Sequence, residues 1–196
     1  MLTGLLYPAF PAPMLPRPSA GAPRAVQAPS VEMLPVVDEN GVVTAQASRA
    51  WCHGARLLHP TVHLHLMDRY GRLFLQKRSL QKDLLPGFWD TAVGGHVSYG
   101  EDIAEALYRE AEEELGLTAF NPVFLTRYLY ENDAERELVH VFAAVGTFEL
   151  QPHNDEVDAG KWWEMQEIDL YLGKSVITPN FEGEFVRIRP SLEALL

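Results

Sequence analysis

Cysteine is almost absent from this chain. Cys52 stands alone among 196 residues, so no intrachain disulfide can form, and a reducing compartment is favoured. No apolar run approaches the length of a membrane span, which argues against a membrane partner. Positive charge is also scarce: 16 Lys and Arg face 27 Asp and Glu, a net charge of −11 with histidine neutral. So acidic a surface repels phosphate backbones and speaks against a nucleic-acid polymer as partner. A small phosphorylated ligand would need local Arg or Lys, backbone N–H groups or a bound cation. These absences together predict a soluble, cytoplasmic protein.

Acidic residues are missing altogether from positions 1–30, which hold seven of the 14 prolines. Proline fixes φ and removes a hydrogen-bond donor, so this stretch reads as an extended tail with no catalytic role. The opening MLTGLLYPAF has no basic residue ahead of its short apolar run, unlike a signal peptide. Arg17, Arg24, Ser19 and Ser30 without acids resemble a transit peptide, but the prolines prevent the amphipathic helix such a peptide uses. The expected division is a Pro/Ala-rich extension over 1–32 and one folded domain over 33–196. With 47% hydrophobic and 10% aromatic residues, that domain can bury a core.

Within the domain, MLPVVDENGVVTAQ predicts two strands around a Glu39-Asn40-Gly41 turn, with Asn-Gly supplying positive φ. TVHLHLMDRYGRLFLQKRS alternates around Arg69-Tyr70-Gly71 and predicts a second hairpin. FLTRYLYE and LVHVFAAVGTFEL read as paired strands, GKWWEM as a short one, and 169–172 and 183–195 as helical. Strands interleaved with one strongly patterned helix predict an α/β sandwich with a mixed sheet.

That helix is DIAEALYREAEEELGL, preceded by a glycine-rich turn and closed by Gly116. On a wheel, Ile103, Ala104, Leu107, Ala111 and Leu115 form an apolar arc. Glu105 and Glu112 project away from it, as a solvated face requires. Glu110 and Glu114 instead project beside the arc, and Glu110 meets like charges three and four residues on, each repulsive by roughly 0.2–0.5 kcal/mol. Crowded carboxylates at a half-buried edge cost stability unless a cation joins them. Mg²⁺ or Mn²⁺ prefers such hard oxygen ligands, so the spacing favours a divalent-metal site.

Gly95, Glu101 and Arg109-Glu110-Ala111-Glu112-Glu113-Glu114-Leu115-Gly116-Leu117 resemble the Nudix box GX5EX7REUXEEXGU at every fixed position. Only Ala111, where the pattern has a bulky aliphatic residue, departs from it. The likeness extends over roughly 33–190. It implies the Nudix α/β/α sandwich and a MutT-like hydrolase cleaving a pyrophosphate bond in a nucleoside diphosphate linked to another group. Glu110, Glu113 and Glu114 would bind Mg²⁺ or Mn²⁺, with the Gly95 carbonyl and Glu101 as further candidates. Arg109 would orient Glu101 or Glu110. Glu156, in the acidic loop before Lys161, matches the region that supplies a base in many such enzymes. Arg78, Lys82 and His96 are candidates for contacting substrate. Dimers are common among proteins resembling this one, so a homodimer fits.

A second likeness runs to isopentenyl-diphosphate isomerases, through the DENG hairpin, RSLQKDLLPGFWD, the Gly-Gly-His turn and Ile177-Thr178-Pro179. It implies a His/Glu metal site from His59, His96, Glu135 and Glu137, with a third histidine near Cys52-His53. The position of the isomerase cysteine is Gly94, which cannot carry a proton. The isomerase therefore ranks behind the hydrolase, and a non-catalytic metabolite-binding Nudix module is a third possibility. His63 and His65, alternating on one strand, read as simple strand filling.

Overall fold

The structure, a computed structural model, describes residues 31–81, 84–133, 135–151 and 157–196. The Pro-rich segment 1–30 lies outside them, and Val31–Leu196 form one compact unit. Strands β1 (Met33–Val37) and β2 (Val43–Ser48) make the first expected hairpin, with Gly41 at φ 84°. Helix α1 (Arg49–Ala55) follows, capped by the Ser48 hydroxyl accepting from the Trp51 N–H at 3.2 Å. Sequence patterning missed this helix because its seven residues bury only Cys52 and show no periodic face.

Strands β3 (His59–Met67) and β4 (Leu73–Arg78) form the second hairpin, and short strands β5 (Trp89–Asp90) and β6 (Val93–His96) lead to helix α2 (Ile103–Leu115). After α2 come β7 (Val123–Glu131), β8 (Arg136–Val145), β9 (Val157–Trp163), α3 (Met165–Tyr171) and α4 (Pro179–Glu193). The last helix starts four residues before the expected Gly183, because Thr178 caps it and Pro179 occupies its first turn.

Among the described residues one sheet runs β5-β4-β3-β8-β7, with β6 on β3 and β9 on β4. Only the β3–β8 pairing is parallel, so the sheet is mixed as expected. Register explains how β3 serves two layers. Val62 pairs with Gly95, which faces α2, so Val62, Leu64 and Leu66 pack on that side. The odd positions face α4, where Met67 joins Leu75, Val141, Phe181 and Phe185 in the main core. The result is an α/β/α sandwich, and all nine residues of β3 are buried.

Helix α2 owes its position to both ends. Asp102 accepts from the Glu105 N–H at 2.8 Å while Glu105 accepts from the Asp102 N–H at 3.0 Å, a reciprocal capping box. Gly116, at φ 63°, ends the helix in the left-handed region. Its buried stripe is Ala106, Leu107, Ala111 and Leu115; Ile103 and Ala104, expected in the arc, are half-buried at its margin. Replacing Asp102→Ala should cost about 1 kcal/mol of stability, read as a melting temperature lower by roughly 2–4 °C.

Candidate functional site

The box glutamates occupy three different environments on α2. Glu114 is 5% exposed and accepts a hydrogen bond from Gln76 Nε2 on β4 at 2.9 Å. Glu110 is half-buried, and burial pushes its carboxyl pKa up despite the adjacent Arg109. Glu113 is exposed and faces the same cleft.

Arg109 joins these groups. Its guanidinium grips Glu101 at 2.7 and 2.9 Å, donates to Glu110 at 2.8 Å and Glu113 at 3.1 Å, and reaches the His96 carbonyl at 2.9 Å. Glu101 also accepts the Ser98 N–H at 2.9 Å. Burial would raise the Glu101 pKa, but the bonds from Arg109 and Ser98 outweigh it and hold the carboxyl below its ordinary value. The arginine thereby ties the helix to the glycine turn. Gly95 sits where the turn meets α2, and a Cβ there would fall on the Glu110 carboxyl group. The missing side chain leaves a backbone-lined cradle beside Glu110. Hard carboxylate oxygens around such a cradle suit a divalent cation of the Mg²⁺ or Mn²⁺ type.

Of these residues all but Glu101 line one cleft of about 780 Å³, a size suited to a small-molecule ligand. Arg78 also lines it but bonds Asp90 at 3.2 Å and the Leu84 carbonyl at 3.2 Å. Lys82 and Glu156 lie outside the described residues. Trp163 is buried, whereas Trp162 packs against Phe74 and Phe148 rather than lining the cleft.

A second cluster involves the glycine turn. The third histidine is His53, carried by the unforeseen α1, and the ligand nitrogens of His53, His59 and His96 lie within 4.8 Å of one another. His53 Nε2 and His96 Nε2 are 3.3 Å apart. His59 Nδ1 bonds the Leu57 carbonyl at 2.8 Å, leaving its buried Nε2 without a hydrogen-bond partner among the described residues. Burial lowers the pKa of both His59 and His96, the latter to about 2, so both rings are neutral. Neutral imidazoles around an orphaned nitrogen suit a borderline metal ion, with Glu135 3.7 Å from His53 and Glu137 beside His59 in register. Burial, then the charge of Glu135, raises Glu137 to about 7.

His63 and His65 are not strand filling. Glu184 of α4, 1% exposed, accepts from His63 Nδ1 at 2.8 Å, His65 Nε2 at 2.6 Å and the Tyr128 hydroxyl at 2.7 Å. Burial opposes a charge on His63, but Glu184, with Glu137 and Asp90, outweighs it and lifts the imidazole to about 9. Glu184 itself is held well below the carboxylate range; burial opposes this, and the two histidines prevail. No local sequence signal joins β3 to a glutamate more than a hundred residues on.

Comparison with known proteins agrees with this geometry. The NUDIX domain family model matches residues 57–181. A Nudix hydrolase of Yersinia pestis is 35% identical over 172 residues, covering 82% of this chain and 93% of that protein. An isopentenyl-diphosphate Delta-isomerase of Clavibacter sepedonicus is 31% identical over 144 residues, covering 70% of this chain and 76% of its own. The crystal structure of DR0079 from Deinococcus radiodurans shares the fold, with a TM-score of 0.70 at 22% identity over 80% of this chain and 99% of that one.

Two outcomes are expected. Gly95→Ala should leave the melting temperature nearly unchanged, because the Glu110 carboxyl can swing aside, yet displace that carboxyl and lower turnover and divalent-metal affinity together. The raised histidine sets the pH dependence of stability. Because His63 is raised from 6.5 to about 9, its contribution is whole below 6.5 and lost as pH climbs through 9. Denaturant titrations between pH 6 and 10 should show a fall on the order of 3 kcal/mol, smaller in His63→Gln.

Proposed function

The chain belongs to the Nudix family as a pyrophosphohydrolase, and from that premise we propose that it cleaves a nucleoside diphosphate linked to another group, using Mg²⁺ or Mn²⁺. Glu110, Glu113 and Glu114 hold the ion, with the Gly95 carbonyl beside them. When bound, the ion acidifies water and neutralises charge developing on the phosphates. The carrying observation is that all three carboxylates line one cleft, with Glu110 set directly against Gly95.

The protein's own part is positioning. Arg109 offsets repulsion between Glu110 and Glu113 and, through Glu101, fixes the helix against the turn. Gln76 holds Glu114 in one orientation. Water forms its new bond to one phosphorus while the anhydride oxygen leaves on the other phosphate, a displacement that depends on alignment and charge stabilisation. Glu156 is the candidate base in this reading. The isomerase reading is weaker despite the histidine cluster, because Gly94 offers no group to move a proton at carbon.

The test is product release from a panel of nucleotide sugars, dinucleotides, coenzyme A derivatives, oxidised nucleotides and prenyl diphosphates, with and without Mg²⁺ or Mn²⁺. Metal-dependent cleavage is expected, reduced by more than about a hundredfold in Glu114→Gln, beyond what losing an outer-shell partner costs. Binding with no product from any compound would instead support a metabolite-binding module, and deuterium exchange into a prenyl diphosphate without phosphate release would support the isomerase.

A further inference from the structure

Of the three donors that meet Glu184, only His63 also borders the cleft. His65 is 1% exposed, and neither it nor Tyr128 is among the cleft-lining residues. His63 spends Nδ1 on Glu184, so its Nε2 edge is the one left for a ligand; among the described residues no protein group is hydrogen-bonded to it. That edge lies beside Gly94, where a Cβ would stand 3.6 Å from Nε2 and 3.4 Å from Cδ2. Gly94 and Gly95 thus open opposite faces of β6, one towards His63 and the other towards Glu110, and both residues line the same cleft.

Charge gives this arrangement a purpose. The cleft carries Asp90, Glu110, Glu113, Glu114, Glu135 and Glu137. Its arginines are turned to carboxylates: Arg49 to Glu32, Arg78 to Asp90, and Arg109 to the box. A phosphorylated ligand on the α4 side therefore needs a donor that carboxylates have not claimed. We infer that His63, oriented through Nδ1 by Glu184, is a substrate-binding residue whose Nε2–H donates to an anionic phosphate oxygen in the half of the cleft facing α4. This assignment rests on the hydrolase reading only in taking that oxygen to be the substrate's. Glu184 is a positioning residue that acts through the imidazole. The groups facing His63 are Glu184 of α4, His65 of its own strand, Tyr128 of β7, Glu137 of β8 and Asp90 of β5. In that acidic surrounding the ring stays an imidazolium at neutral pH, a donor rather than a base.

The experiment is histidine ¹⁵N NMR on the full chain, titrated with imidodiphosphate in the presence of Mg²⁺. In the unaltered protein the His63 Nε2 resonance should move on saturation while the hydrogen-bonded Nδ1 proton stays in place. His63→Gln, checked for folding by circular dichroism, should weaken imidodiphosphate binding about tenfold, as expected for loss of a charge-assisted hydrogen bond. Glu184→Gln should abolish the Nδ1 proton signature and weaken binding in parallel. An Nε2 resonance unmoved at saturation, or equal affinity in His63→Gln, overturns the assignment even if pyrophosphate compounds are hydrolysed. A moved resonance and weakened binding in a protein that turns over none of the panel would uphold His63 and remove the hydrolase reading.

Discussion

Carboxylates on successive turns of a helix repel one another, and this structure depends on how that repulsion is contained. Glu110, Glu113 and Glu114 share the cleft-facing side of α2. Arg109 binds two of them and anchors to Glu101, while Gln76 receives Glu114 from the sheet. The same guanidinium reaches the His96 carbonyl, so the group that neutralises the helix also sets its distance from the glycine turn. A Cβ on Gly95 would take the place of the Glu110 carboxyl, so that carboxyl keeps its position only because residue 95 is a glycine. Electrostatics and close packing therefore converge on one contact between α2 and β6.

A comparable constraint operates on the other side of the sheet. Strand β3 turns His63 and His65 towards Glu184 of α4, and buried polar groups must find partners. Glu184 supplies them, becoming a buried carboxylate bonded by two imidazoles and a phenol. Such a network is costly to break, because removing one partner strands the others without water. It holds the strand that supports the glycine turn.

The histidine trio shows how the two halves meet. His59 comes from β3, His96 ends β6, and His53 arrives from α1, which packs with the β1–β2 hairpin. The hairpin contributes Glu32, just before β1, which lies 3.7 Å from His96. The cleft is thus framed by the N-terminal hairpin, the glycine turn, α2 and the start of β8.

Local chemistry was legible in the sequence wherever neighbours along the chain decide the outcome. Asn40-Gly41 set a hairpin because a turn needs positive φ there. Helical spacing placed Glu110 and Glu114 beside an apolar arc, and box spacing put Gly95 and Arg109 in range of them. Only tertiary structure decided which distant residues meet. That His53 joins His59 and His96 follows from a seven-residue helix too short to show a period. That His63 and His65 meet a buried carboxylate follows from α4 folding back across β3, a contact between positions 63 and 184 that no local pattern records. Short-range preferences are written in spacing; long-range pairings emerge when burial forces every polar group to find a partner.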